Sequence, residues 1–155
     1  MSPPKCPKAP SGAAARTGPL PTDTHTVAFY RAPDGSLPAR DFIDACPRTI
    51  RARLRAVVAE VAAAPPIRFA GGGLWEAMHG DMRGIFEVRI DGTPRRTHYR
   101  LYCVLDYKAK GFDKPVLAIL DGRRKAFRTV LTAHDYAAVK EYADDYWSKN
   151  PRPVG

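Results

Sequence analysis

The fold turns on the stretch from Leu74 to Lys125, which divides into four segments. These are Leu74-Trp75-Glu76, then Met82-Arg83-Gly84-Ile85-Phe86-Glu87-Val88-Arg89-Ile90, then His98-Tyr99-Arg100-Leu101-Tyr102-Cys103-Val104-Leu105-Asp106, and finally Val116-Leu117-Ala118-Ile119-Leu120-Asp121-Gly122-Arg123-Arg124-Lys125. Runs of β-branched and aromatic residues bounded by turn residues predict three successive strands here. Side chains alternate along a strand, so from about Arg83 to Ile90 the residues Phe86, Val88 and Ile90 share one face. Arg83, Glu87 and Arg89 share the other. In the next strand Tyr99, Leu101, Cys103 and Leu105 point one way, and His98, Arg100 and Tyr102 point the other. Pairing the two lines Glu87, Arg89, His98, Arg100 and Tyr102 on a single surface. The run from Pro115 to Leu120 is apolar on both parities, as a central strand must be. Arg123-Arg124-Lys125 leave it beside that same surface if the strands form a meander.

Outside this stretch the chain reads as helices and tails. Thr26 to Arg31 predicts a short first strand, stopped by Pro33-Asp34-Gly35-Ser36. A helical hairpin follows. Pro38 to Ala45 makes its first arm, with Phe42 and Ile43 inward. A second helix starts at Cys46-Pro47, carries the stripe Ile50, Leu54, Val57, Val58 and Val61, and ends at Pro65-Pro66. Arg48, Arg51, Arg53 and Arg55 lie off the stripe and read as a solvated face. Thr132-Ala133-His134-Asp135 predicts a helix start with its cap. Tyr136, Val139, Tyr142, Tyr146 and Trp147 would form that helix's packing stripe. The expected class is therefore α+β, a small antiparallel-rich sheet of about four strands with an N-terminal helical hairpin and a C-terminal helix. The domain would span 26–150, between a disordered Pro-rich tail at 1–25 and a short tail at 151–155.

Composition narrows the function. With 25 Lys and Arg against 16 Asp and Glu, the 155-residue chain carries a formal charge of +9. Residues 83–128 hold 12 of the basic and only 5 of the acidic side chains, so the excess sits on the strand segment. Clustered basic charge is the footprint of phosphate binding. Cys6, Cys46 and Cys103 form no CxxC pair and have no histidine at zinc-finger spacing, which supports neither a disulfide framework nor a zinc site. Gly71-Gly72-Gly73 lacks the following GK[S/T] of a phosphate loop and reads as a flexible connection. No apolar run approaches the ~18 residues of a membrane span, and no secretory signal is evident. A reducing, cytoplasmic setting is expected.

Cleaving RNA without a metal requires a base for the ribose 2′-hydroxyl, a cationic clamp for the phosphate and an acid for the departing 5′-oxygen. His98 suits either proton-transfer role. Arg89, Arg100 and Arg124 can hold the phosphate, and Lys125 can donate a proton or steady the developing charge. Tyr99 or Tyr102 can stack on a splayed base, and Glu87 can orient an arginine. His25, His79 and His134 are assigned no role. No Ser-His-Asp order, HExxH or GxSxG occurs.

These segments, in the order strand, helical hairpin, three-strand meander and C-terminal helix, resemble the RelE/ParE superfamily of type II toxins over about residues 27–150. More narrowly, they are similar to its HigB-like, phage Gp49-related branch. The motifs that carry the likeness are Leu74-Trp75-Glu76, Met82 to Arg89, His98 to Asp106 and the basic exit Arg123-Arg124-Lys125. Many relatives end the last strand with Gly-Phe-x-Lys-Lys, where this chain has Asp121-Gly122-Arg123-Arg124-Lys125. The resemblance implies a cofactor- and metal-independent endoribonuclease that cuts messenger RNA on the ribosome. Its partners would be mRNA, the ribosome and a cognate helix-turn-helix antitoxin, with no membrane. By position it implies Arg83, Arg89, Arg100, Arg124 and Lys125 as the basic residues of the site, with His98 as an addition. Together with the reading of the residues themselves this gives His98, Arg100, Arg124 and Lys125 as catalytic, with Arg83, Arg89, Tyr102 and Arg123 on the RNA. Two other outcomes stay open at this point, a ParE-like toxin that poisons gyrase without cleaving anything and a non-catalytic nucleic-acid-binding protein of phage origin.

Overall fold

The computed structural model describes residues 24–63, 73–92, 96–126 and 131–155. In chain order the elements are β1 (Thr26–Phe29), α1 (Pro38–Ala45), α2 (Arg48–Ala63), β2 (Trp75–Ala77), β3 (Phe86–Gly92), β4 (Thr97–Asp106), β5 (Val116–Lys125) and α3 (Ala133–Ser148), with a 3-10 turn at Gly80–Met82. The strands form one mixed sheet in the order β1-β5-β4-β3-β2, with β1 parallel to β5 and every other pair antiparallel. The α+β class stands, but the sheet has five strands rather than about four. The extra one is β2, held by the stacking of Trp75 on Phe86 at a ring separation of 5.0 Å.

Each face of the sheet is covered by helix. On one, α1 and α2 seal Val88, Ile90, Tyr99, Leu101, Cys103, Leu117 and Ile119 beneath Ile43, Ile50, Leu54, Val58 and Val61. Pro38 sits at the start of α1, where its missing N–H costs nothing. On the other face α3 covers only part, over Tyr30, Tyr102, Val104, Val116, Ala118 and Leu120. Thr132 and Asp135 cap α3 reciprocally, each side chain accepting from the other's backbone N–H. The buried stripe of α3 is Val139, Ala143 and Tyr146, whereas Trp147, expected in the stripe, stands 42% exposed.

An irregularity in β5 sets the geometry of the site. Cys103 pairs with Ile119, yet the neighbouring Tyr102 pairs with Asp121, so Leu120 is an extra residue on β5. This bulge reverses the alternation of everything after it. Before it, Leu117 and Ile119 face α1 and α2; after it, Gly122 and Arg124 do, and Arg123 and Lys125 turn to the opposite face. Gly122 is required where it stands, because a Cβ there would run into the Phe42 ring of α1.

The last five residues, expected to be a short tail, are tied into the domain. Val154 bridges Tyr30, Arg31 N–H donates to Pro153 O at 2.8 Å, and Gly155 N–H donates to Phe29 O at 3.0 Å. They occupy the outer edge of β1 that would otherwise be open to another chain. His25, assigned to the N-terminal tail from sequence, is buried at the start of β1 with its ring edge-on to Tyr107. The Pro-rich segment to residue 23, Pro65-Pro66, Gly71-Gly72 and most of the β3–β4 loop lie outside the described residues. Among the described residues no helix is long and apolar enough to cross a membrane.

Candidate nucleic-acid interface

Three strands deliver the site in cross-strand rows. Arg89 of β3, Arg100 of β4 and Arg123 of β5 are direct partners in one row. On one side of it lies Glu87–Tyr102–Asp121, and on the other Asp91–His98–Lys125. Directly opposed residues hold their Cβ atoms about 5 Å apart on the same face. All nine side chains therefore share the face that α3 covers only in part, as alternation along β3 and β4 predicts.

Three like charges in a row repel unless carboxylates interleave with them, and here they do. Arg89 lies between two glutamates, with Nη1 3.4 Å from Glu76 and Nε 3.5 Å from Glu87. Arg123 donates Nε to Asp121 at 3.0 Å and Nη1 to Asp135, on α3, at 3.1 Å. Burial pushes the Asp121 carboxyl up, and the Arg123 charge offsets that only in part. Arg100 is the most enclosed of the three, with a 5% exposed side chain. Its Nη1 donates to Tyr99 O at 3.0 Å, Ile90 O at 3.4 Å and Asp91 Oδ1 at 3.2 Å. Its Nε lies 4.0 Å from Glu87 Oε2, so the buried guanidinium ties Asp91 and Glu87 to the middle strand.

The chemistry-bearing row is Asp91–His98–Lys125. His98 Nδ1 lies 2.6 Å from Asp91 Oδ1, the same oxygen that Arg100 reaches. A carboxylate accepts only, so Nδ1 carries the proton and Nε2 is the basic position of the ring. Partial burial works against the Asp91 charge, but the bonds from His98 and Arg100 outweigh it and leave the carboxyl below its usual range. Lys125 stands across from His98, half-buried and without an ion pair among the described residues. Burial, reinforced by the neighbouring Arg100 charge, pulls its ammonium pKa down.

Several expected site residues stand elsewhere. Arg124 pairs with Tyr99 on the α1/α2 side, exposed there and turned away from the arginine row by the bulge. Tyr102 shares the face but is completely buried, edge-on to Tyr136 of α3, and Tyr99 is completely buried against Phe42 on the other side. Neither can stack on a base as placed. Arg83 lies before β3 in the turn after the 3-10 segment, exposed and outside the rows. Sequence reasoning missed Asp91, taken as a turn residue, although it continues the alternation of Glu87 and Arg89. It also missed Asp121, Asp135 and Tyr136 as part of this surface.

Cys46 and Cys103 are buried free thiols, and Cys103 is a core residue as its parity indicates. Among the described residues no group of three or more His, Cys, Asp or Glu side chains is placed to hold a metal ion. Comparison with protein-family models, with curated proteins and with solved structures yields no match in any of the three.

Proposed function

We propose that the chain is an endoribonuclease of the RelE/ParE toxin type, similar to the HigB-like branch, which cuts messenger RNA by attack of a ribose 2′-hydroxyl. A helix-turn-helix antitoxin would hold it in check. The observation that supports the reading most is the row Asp91–His98–Lys125: an imidazole oriented by a carboxylate, facing a lysine whose proton is loosened by burial and neighbouring arginines.

Each group has a task in that reaction. His98 Nε2 takes the proton of the 2′-hydroxyl, whose oxygen forms a bond to phosphorus, and Asp91 stabilises the imidazolium produced. The bond from phosphorus to the 5′-oxygen breaks, and that oxygen takes a proton from Lys125. A lysine with a lowered pKa is the better donor near neutral pH. Arg89 and Arg123 hold the flanking phosphate oxygens, exchanging their carboxylate partners for substrate. Arg100 is a positioning residue that fixes the Asp91 oxygen on which His98 leans.

Primer extension on translated mRNA tests the reading. Discrete cuts that vanish in His98→Gln and in Lys125→Ala are the expected result. Intact mRNA together with inhibition of DNA supercoiling would overturn it in favour of a gyrase poison, for which an imidazole set opposite a lysine has no use.

A further inference from the structure

A shallow cleft lies on the α3 side of the sheet but away from the arginine row, between the turn that leads into β3 and the second half of α3. Gly84, Ile85 and Ala143 form its apolar wall, and Arg83, Lys140 and Trp147 are its cationic and aromatic rim. Asp81 and Asp144 complete the rim. None of these four charged side chains makes an ion pair or hydrogen bond among the described residues, unlike the arginines of the strand face. The volume, about 160 Å³, falls below the ~300 Å³ at which ordinary ligand pockets begin, so it suits one flat base rather than a whole nucleotide. Trp147 is held for that role. The Arg152 guanidinium lies 4.8 Å from the centre of its ring, and Tyr146 packs edge-on to it at 5.3 Å. At Gly84 the backbone has φ +94 and open space where a Cβ would stand, so nothing narrows the entrance there.

We infer that this cleft is a second nucleotide subsite, which stacks an unpaired base on Trp147 and holds the adjoining phosphate between Arg83 and Lys140. The inference rests on the ribonuclease reading and extends it, because Ile85, which directly precedes β3, packs on the α3 side of the sheet, the side on which Glu87 and Arg89 lie. At about 3.3 Å per residue, Ile85 and Arg89 are roughly 13 Å apart, so one single strand can occupy both places. A bare phosphate does not suit the cleft, since two carboxylates share its rim. A base does: stacking on an aromatic ring is the sequence-tolerant way proteins hold single strands. The carboxylates of Asp81 and Asp144 accept from exocyclic amino groups, so bases that carry one are favoured over uracil.

Tryptophan emission of the full chain reads this site directly. The chain has two tryptophans, and Trp75 is buried under Phe86. The expected result is saturable quenching by AMP, weaker quenching by UMP and none by inorganic phosphate. Trp147→Phe should abolish the response while leaving the Trp75 signal and the melting temperature in place. Arg83→Ala with Lys140→Ala should weaken AMP about tenfold and leave adenosine unchanged. Trp147→Ala should weaken a short labelled oligoadenylate by about 5- to 150-fold, the worth of one base-aromatic stack. Absence of an AMP response, or one that survives in Trp147→Phe, overturns the inference. If the oligonucleotide still binds and Lys125→Ala weakens it while Trp147 stays silent, the cleft fails and the strand face stands. If Trp147 responds but the parent chain leaves mRNA intact, the cleft stands and the ribonuclease reading fails.

Discussion

Asp106→Asn should cost about 3 kcal/mol of folding stability, the lower end of the ~3–5 kcal/mol expected when one partner of a buried ion pair is removed. The Asp106 side chain is fully buried and that of Arg152 is 7% exposed. The carboxylate accepts four hydrogen bonds: from Arg152 Nε at 2.7 Å, Arg152 Nη2 at 3.4 Å, Tyr146 Oη at 2.8 Å and the Lys108 N–H at 2.9 Å. An amide keeps one acceptor oxygen and turns its NH2 toward donors that need an acceptor. The guanidinium is then left buried without a counter-charge. Two carbonyls, Trp147 O at 3.2 Å and Lys149 O at 3.0 Å, still receive its Nη1, which is why the lower figure applies. For a domain of this size the midpoint should fall by roughly 10 °C. Burial works against the Asp106 charge, but Arg152, the Lys108 amide and Tyr146 outweigh it and hold the carboxyl below its usual range. Its contribution is therefore present above about pH 4, the unfolded value, and is lost as pH falls through the lower folded value. Thermal melts from pH 7 down to pH 3 should show a smaller acid loss in Asp106→Asn than in the parent chain. A midpoint within about 2 °C of the parent, with unchanged acid sensitivity, would refute this account of how the C-terminal segment is held.

Three further outcomes are expected. Gly122→Ala should destabilise by about 1–3 kcal/mol, because its methyl group meets the Phe42 ring in a packed core; a chemical denaturation midpoint equal to the parent's would contradict the bulge geometry. Arg124→Ala should leave both melting temperature and RNA cleavage nearly unchanged, whereas Arg123→Ala should reduce cleavage. The reverse order would mean that β5 runs without its extra residue. Lys125→Met should abolish cleavage yet leave stability at neutral pH equal or higher, since burial and the neighbouring Arg100 disfavour the charge. In the parent chain, cleavage should fall on the alkaline side at an apparent pKa below the ordinary lysine value of about 10.4, and a rate profile flat to that pH would exclude Lys125 as the proton donor.

Much of this architecture could be read from local pattern. Pro38 and Ala45 bound α1 as expected, the stripe of α2 is buried residue for residue, and the Thr132–Asp135 cap forms. Alternation along β3 and β4 correctly groups Glu87, Arg89, His98, Arg100 and Tyr102 on one face. What failed depended on tertiary pairing. The Leu120 bulge has no local signature, because Leu120 and Asp121 fit a regular strand equally well, yet it decides which of Arg123, Arg124 and Lys125 face the site. Three residues are too few for β2 to show a period. Residues 151–155 show no pattern beyond a short tail after the helix, but Pro153 supplies the carbonyl that Arg31 needs. In α3 the small Ala143 fits closely against the sheet where a heavier residue was sought, and Trp147 turns outward. Alternation also says nothing of depth, so Tyr102 was placed on the right face without its burial being foreseen.

The central claim is that His98 and Lys125 cut RNA through its own 2′-hydroxyl. A messenger carrying a single 2′-deoxy substitution at a mapped cut site, supplied to a translating mixture with the parent chain, tests it most directly. The account predicts that this site alone is spared while neighbouring sites are still cut, and that the normal product ends in a 2′,3′-cyclic phosphate. Cutting at the deoxy position would contradict it.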